Sequence, residues 1–269
     1  IKKVGVISLG CAKNRVDCEV MMKKIADEGY EFCSDMAQCD AIIVNTCAFI
    51  EQAKEEAIRN ILDAALYKEL NLKKLIVTGC TAVVDFSSKN LSGSETVEKM
   101  LISQIVNTLI KSFDEIVAAL KSDERFSLFK PLSASSPEGE RVLTTENYSV
   151  YLKIAEGCSN RCAYCVIPII RGSYQPRSAD SVIKEAERLA KNGAVEINVI
   201  SQDTSRHPEI IKIIRGICAI ESVKWVRLLY LYPDEITDEL IAEIKNQEKV
   251  VKYIDLPLQH ASTPVLKRM

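Results

Sequence analysis

Residues 150–165 read VYLKIAEGCSNRCAYC. The apolar run to Ile154 reads as a short strand, and the polar stretch after Gly157 reads as a loop carrying three cysteines. The chain beyond keeps one rhythm. SVIKEAERLAKNG (181–193) has helical period and stops at Gly193, and VEINVIS (195–201) is a strand. PEIIKIIRGICAI (208–220) is a helix with Pro208 suited to its first turn. KWVRLLYLYP (224–233) is a strand, DEITDELIAEIKN (234–246) a helix and VVKYIDLPL (250–258) a fourth strand. This alternation predicts parallel strands in a partial (β/α) barrel. The chain stops soon after the fourth strand, too early to close a typical barrel. That strand is therefore expected to present an open, apolar edge that favours association.

The preceding half repeats the logic. KVGVISLG (3–10), AIIVNTC (41–47) and KLIVTGC (74–80) read as strands. A helical pattern through VDCEVMMKKIADEGY (16–30) and another through FIEQAKEEAIRNILDAALYKEL (49–70) separate them. The order implies a doubly wound parallel sheet, and the fold class is α/β throughout. QIVNTLI (104–110) fits a helix or a strand equally well. Residues 122–148 lack periodicity and contain SASSPEGE, which marks a linker. The expected organisation is therefore a domain over 1–121, a linker over 122–148 and a second domain over 149–269.

The 269 residues are 47% hydrophobic and 27% charged, which excludes a disordered chain. Thirty-five basic against 37 acidic residues leave a net charge of -2, so direct nucleic-acid binding is not expected. No apolar run is long enough for a membrane span, and no signal peptide pattern opens the chain. A cytoplasmic, reducing setting follows as the expectation. There, the ten cysteines read as metal ligands or reactive groups rather than as a disulfide scaffold.

Six of the ten fall into two trios. Cys158, Cys162 and Cys165 have C-x3-C-x2-C spacing in one loop, so each thiolate can hold a different iron of a cubane cluster. The fourth iron is then left open to a small molecule. Structural zinc, which takes four ligands, is the competing reading. Cys11, Cys47 and Cys80 each stand just past a predicted parallel strand. Parallel strands end on one edge, where open α/β sheets bind ligands, so these three can converge on a second cluster. The alternative is three small buried hydrophobes.

The remaining cysteines lack this placement. Cys18 and Cys218 read as helix packing residues, and Cys33 and Cys39 flank a short turn where a redox pair is one reading. His207 needs no function. His260, at a strand end, suits either a ligand contact or a capping role.

CSNRCAYC (158–165) resembles the signature of the radical S-adenosylmethionine enzymes. With SLGCAKNRVDCE (8–19), VNTCAFI (44–50) and VTGC (77–80), the chain resembles the methylthiotransferase family. SLGCAKN, SQDTS (201–205), LLYLYPDEIT (228–237) and DLPLQHAS (255–262) are similar to its ribosomal-protein-modifying branch rather than to its tRNA-modifying branch. The resemblance implies an N-terminal parallel-sheet domain followed by an incomplete radical-SAM partial barrel. It implies two 4Fe–4S clusters, the radical cluster on Cys158, Cys162 and Cys165 and the auxiliary one on Cys11, Cys47 and Cys80. S-adenosylmethionine is the implied cosubstrate, with Tyr164 packing on its adenine and Ser201, Gln202 and Asp203 at its amino-acid end. Arg171 and Arg177 match a basic pair near the cluster loop, although arginines alone read as surface charges. The implied reaction adds a methylthio group to the β-carbon of an aspartate in a small-subunit ribosomal protein. A flavodoxin or ferredoxin is the implied electron donor. Adenosine in tRNA, and an inert iron–sulfur fragment, remain as alternatives.

The chain departs from the family at Ala12, where relatives usually have proline, and across 82–113. The loop after SQDTSRHP is short, and the later barrel strands and the small C-terminal TRAM domain are missing. The chain reads as a truncated sequence.

Overall fold

The computed structural model describes residues 1–47, 49–80, 108–110, 116–121, 126–128 and 140–269. The chain divides into two compact units: Ile1–Ser133 with Glu140–Val142, and Ala134–Gly139 with Leu143–Met269.

The first unit is built on β1 (Lys3–Ser8), α1 (Ala12–Asp27), β2 (Glu31–Phe32), β3 (Ala41–Thr46), α2 (Glu51–Leu66), β4 (Lys74–Gly79), β5 (Thr108–Ile110), α3 (Ile116–Lys121) and β6 (Phe126–Leu128). Its six strands run in the order β2-β1-β3-β4-β5-β6, every pair parallel. All residues of β3 and β4 are buried. Continuous apolar strands such as AIIV and KLIV suit this position because both faces are covered. One face packs Cys18, Met21 and Ile25 of α1 with Ile116, Ala119 and Leu120 of α3. The other packs Ile61 and Ala64 of α2 with Leu72. Helix α1 stops in a Schellman turn: Tyr30 N–H donates to Ile25 O and Gly29 N–H to Ala26 O. The strand order reverses between β1 and β3, which opens a crevice beyond their carboxyl ends.

The second unit contains β7 (Ser149–Lys153), β8 (Ala155–Glu156), α4 (Ile167–Arg171), β9 (Gln175–Pro176), α5 (Ala179–Lys191), β10 (Glu196–Ile200), α6 (Ile210–Ala219), β11 (Trp225–Leu228), α7 (Asp238–Asn246) and α8 (Thr263–Leu266). Strands β7, β10 and β11 form a parallel sheet. Val150, Leu152, Ile197, Val199, Val226 and Leu228 turn one face toward Val182, Ala186, Ile213, Ile214, Ile217 and Leu240 of the helices. Several intervening residues on the opposite face are polar and joined: Ser149 Oγ donates to Glu196 at 2.7 Å, and Arg227 pairs with Glu196 at 2.9 Å. Helices on one face and polar residues on the other match the strand–helix rhythm of a barrel segment.

Three expectations change and one open reading is settled. The fourth strand reduces to a single parallel bridge, Val226 with Val250, and Tyr253, Ile254 and Leu258 beyond it are exposed. Part of the expected linker belongs to the first unit: 126–128 pair as β6, while Arg141 forms a buried ion pair with Glu19 at 3.4 Å. Within QIVNTLI, Thr108–Ile110 is strand because it extends the parallel ladder, and 104–107 lie outside the described residues. Pro208 precedes the α6 helix instead of occupying its first turn. Among the described residues, no helix is long and apolar enough to cross a membrane.

The burial pattern predicts an asymmetric response to truncation. Ile76→Ala, at a fully buried β4 position, is expected to cost about 2–5 kcal/mol. Leu66→Ala, at a position 66% exposed on α2, is expected to change stability by less than about 0.5 kcal/mol. Urea unfolding midpoints of the two variants check this.

Candidate iron–sulfur and cosubstrate site

The first trio stands at the carboxyl edge of the first sheet. Cys47 and Cys80 each follow the last registered pair of β3 and β4, Thr46 with Gly79. Cys11 is the N-cap of α1, with no side-chain capping bond, so its sulfur lies at the positive end of a 16-residue helix dipole. Asn14 ties the loops together: its Nδ2 donates to Leu9 O at 2.7 Å and to Thr46 O at 3.2 Å, and its own carbonyl accepts from Asn45 Nδ2 at 3.1 Å. A methyl built on Gly10 would lie 3.0 Å from Cys47 Sγ, so the loop after β1 runs against the Cys47 side chain.

The second trio lies in a loop pinched shut at its base. Strands β8 and β9 form a short antiparallel ribbon, and Cys158 N–H donates to Gly172 O at 3.0 Å. Cys158 is buried, while Cys162 and Cys165 are half-buried. Asn160 N–H points at Cys158 Sγ, 3.4 Å away. Burial pushes the Cys158 thiol up, the Asn160 N–H counteracts this, and Asp203, Cys165 and Cys162 push it further up. A Cys158 sulfur whose ionisation is opposed by its neighbours suits a cationic group, which removes that conflict when it binds.

Gly10, Gly79 and Gly157, each immediately before a cysteine, all have φ between +70° and +92°. At Gly157 an added Cβ would meet Ser173 O at 2.2 Å, and at Gly79 it would meet Thr46 O at 2.5 Å. Only glycine turns the chain there without collision, and the turn delivers the next residue to the edge.

Among the described residues, no three Cys, His, Asp or Glu side chains stand close enough to hold one metal ion. Cys47 and Cys80 each stand one residue past a registered pair at one sheet edge, with the Cys11 loop against Cys47, and Cys158 has Cys162 and Cys165 as neighbours. A cubane takes each thiolate on a different iron, so it does not require three sulfurs to close on one ion. Around the first trio, Asn14 Oδ1, Asn45 Oδ1 and Thr78 Oγ1 are buried without a hydrogen-bond partner, as expected of polar atoms facing a space made for something else.

The other expected residues have mixed placements. Tyr164 is 51% exposed, and its hydroxyl reaches Cys162. Ser201 is fully buried within a strand-end turn, its N–H donating to Thr204 Oγ1 at 3.0 Å, whereas Gln202 is half-buried at the same turn. Asp203 accepts from Asn160 Nδ2 at 3.4 Å, and Arg206 donates to Asn160 Oδ1 at 2.6 Å, so this turn grips the cysteine loop. The surface reading of Arg171 and Arg177 is wrong. Both are buried because carboxylates await them: Arg171 pairs with Glu156 at 3.0 Å and Arg177 with Glu185 at 2.6 Å. His207 is buried, donating from Nε2 to Arg177 O at 2.8 Å and accepting Glu209 N–H at Nδ1, a purely structural tie. His260 is exposed and accepts Ser262 N–H, a turn cap.

Two features went unread in the sequence. Tyr232 also directs its hydroxyl to Cys162. Glu156, just before the loop, holds both Lys153 at 2.7 Å and Arg171 at 3.0 Å. Lys and Glu three apart around an otherwise buried strand end were the available signal for the second. Nothing in the sequence pattern marks the first.

The same two segments stand out in comparison with known proteins. Residues 3–103 match the model of Uncharacterized protein family UPF0004, and residues 152–269 match the Radical SAM superfamily. The chain is 47% identical over 277 residues to a ribosomal protein uS12 methylthiotransferase RimO of Clostridium botulinum (strain Loch Maree / Type A3), which covers 99% of the chain. It is 42% identical to the RimO of Acetivibrio thermocellus, over all of the chain. The chain is thus similar along nearly its whole length to ribosomal protein uS12 methylthiotransferases, and its second half carries the Radical SAM superfamily pattern. It spans 61% of the length of these two relatives. Among solved structures, the radical S-adenosylmethionine methyltransferase TsrM from Kitasatospora setae aligns over 98% of the chain and 60% of its own, with TM-score 0.64 at 14% identity. The radical enzyme OxsB aligns over all of the chain and 45% of its own, with TM-score 0.59. At such identity the likeness is one of fold, and it is the radical-SAM fold.

The Lys153–Glu156–Arg171 cluster predicts a pH signature. Burial by itself would raise the Glu156 carboxyl, but the two cations hold it below the usual carboxylate range. Its contribution to stability is complete above about pH 4.5 and is lost as pH falls toward the lowered value. Glu156→Gln is expected to destabilise at pH 7, by about 3–5 kcal/mol if both buried cations lose their partner, and to flatten the acid limb of the stability–pH profile. Denaturant titrations from pH 7 down to pH 3 check both.

Proposed function

We propose that this chain carries the catalytic domains of a methylthiotransferase that acts on an aspartate β-carbon of ribosomal protein uS12. The observation that carries this reading is the pair of cysteine trios, one at the carboxyl edge of the first sheet and one in the loop closed by the β8–β9 ribbon. The RimO relatives, matched along nearly the whole chain, support the choice of substrate. In this reading the first unit is the auxiliary-cluster domain and the second the radical-SAM domain. Cys11, Cys47 and Cys80 hold one 4Fe–4S cluster, and Cys158, Cys162 and Cys165 hold the other. Tyr164, Ser201 and Gln202 contact S-adenosylmethionine. The protein works in the cytoplasm, with a flavodoxin- or ferredoxin-like reductant.

When bound, the clusters and S-adenosylmethionine supply the electron, the hydrogen-abstracting radical and the methylthio group, chemistry that an unactivated C–H bond demands and no side chain offers. The chain's own residues hold and shield. Asn160 N–H neutralises charge on Cys158 sulfur, and the hydroxyls of Tyr164 and Tyr232 do so on Cys162. The Asn160–Asp203–Arg206 contacts fix the cysteine loop against the strand-end turn that carries Gln202. Glu156 with its two cations anchors the base of that loop, so its sulfurs are placed before any ligand arrives.

Anaerobic reconstitution of the full-length protein is expected to give about eight irons per chain, and about four when Cys158, Cys162 and Cys165 are all replaced by Ala. Incubation with uS12, S-adenosylmethionine and reductant is expected to add one methylthio group to an aspartate, read by mass spectrometry. Modification of tRNA adenosine with uS12 untouched would transfer the assignment to the sister reaction.

Tyr232→Phe is expected to leave the iron content unchanged. Loss of one hydrogen bond to Cys162 sulfur should lower the reduction potential of the radical cluster, by on the order of 20–60 mV for a bond worth roughly 0.5–1.5 kcal/mol. Spectroscopic redox titration checks this.

A further inference from the structure

Gly5 sits within β1, between β2 and β3, with no left-handed backbone to require glycine. What requires it is sulfur. A methyl built on Gly5 would lie 2.5 Å from Met36 Sδ and 2.9 Å from Cys39 Sγ. The space that a side chain of β1 would fill is taken by the turn between β2 and β3. Cys39 is fully buried there, and its thiol donates to Asp35 O at 3.4 Å. Cys33, half-exposed, donates to the same Asp35 carbonyl, also at 3.4 Å. Sharing one acceptor brings the two thiols to the same side of the turn. Met36 covers Cys39 on the side facing Gly5.

This pair lies at the opposite end of β3 from Cys47. Cys39 precedes β3 and Cys47 follows it, so the six-residue strand separates them by roughly 20 Å. Nothing in the proposed reaction uses it.

We propose that Cys33 and Cys39 are a reversible dithiol–disulfide pair that exchanges with small disulfides of the glutathione type. Access and burial divide the roles. Cys33, open to solvent, loses its proton and attacks one sulfur of the small disulfide, and the first small thiol leaves with a proton. Cys39 is the resolving thiol. Burial, with Cys33 and the carboxylates of Asp35 and Asp40 nearby, pushes it up to about 11, so it waits protonated while Cys33 reacts first. It then gives its proton to solvent, attacks the Cys33 sulfur and releases the second small thiol. Two protein thiols are oxidised and one disulfide is reduced to two thiols. The product cross-links the β2–β3 connection over Gly5.

The test uses the reduced full-length protein and glutathione disulfide. After exposure, free thiols are tagged with N-ethylmaleimide, the protein is digested without reduction, and the peptides holding 33 and 39 are read by mass spectrometry. The expected result is an internal Cys33–Cys39 link with neither residue tagged, both becoming taggable after reduction. Cys39→Ser is expected to trap glutathione on Cys33 at several-fold higher occupancy than in the wild type. A stable glutathione adduct on wild-type Cys33 with Cys39 tagged would overturn the proposal. So would both residues tagged under oxidation that closes a free dithiol peptide.

Discussion

Strands buried on both faces have no exposed face on which to carry chemistry. The middles of β3 and β4 are apolar because helices cover them above and below, and polar residues are confined to their ends. Parallel strands end together. That constraint brings Cys11, Cys47 and Cys80 to one edge although more than thirty residues separate each from the next. The reversal of strand order at β1 and β3 opens the space into which the first two look.

The second unit meets the same demand differently. Its three thiols are local, so the sheet needs only to supply a fixed base. The β8–β9 ribbon, the Gly157 turn and the doubly paired Glu156 provide it. A carboxylate buried between two cations costs desolvation energy, and it stabilises the loop only because both partners are held in place. The strand-end turn at Ser201–Arg206 adds a second grip through Asn160. The loop is thus held by polar contacts at both ends, while the sheet beneath is held by apolar burial.

The first unit uses sulfur in more than one way. At the carboxyl edge of the first sheet three cysteines end neighbouring strand and helix segments, beside buried polar atoms that lack partners. Near Gly5, two thiols and a thioether are packed together and satisfied by backbone carbonyls. Cys18 is different again, a buried packing atom between α1 and the sheet. One residue type thus serves as a ligand candidate, an exchangeable pair and a hydrophobe, and neighbours decide which.

Read alone, the sequence determined the alternation of elements, the parallel sheets and the cysteine trios. Those follow from local periodicity, from C-x3-C-x2-C spacing and from repeated strand-end cysteines, all of which are short-range signals. It did not reveal that Arg171 and Arg177 are buried, because burial of a guanidinium depends on a carboxylate delivered by another element. It did not place Tyr232 on Cys162, about seventy residues away, nor show that 126–128 extend the first sheet. It left Cys33 and Cys39 as neighbours across a turn, and only the fold set their sulfurs together over a strand that lacks a side chain. In each case the deciding contact joins residues far apart in sequence or hangs on an atom that glycine leaves out, and tertiary packing alone settles such contacts.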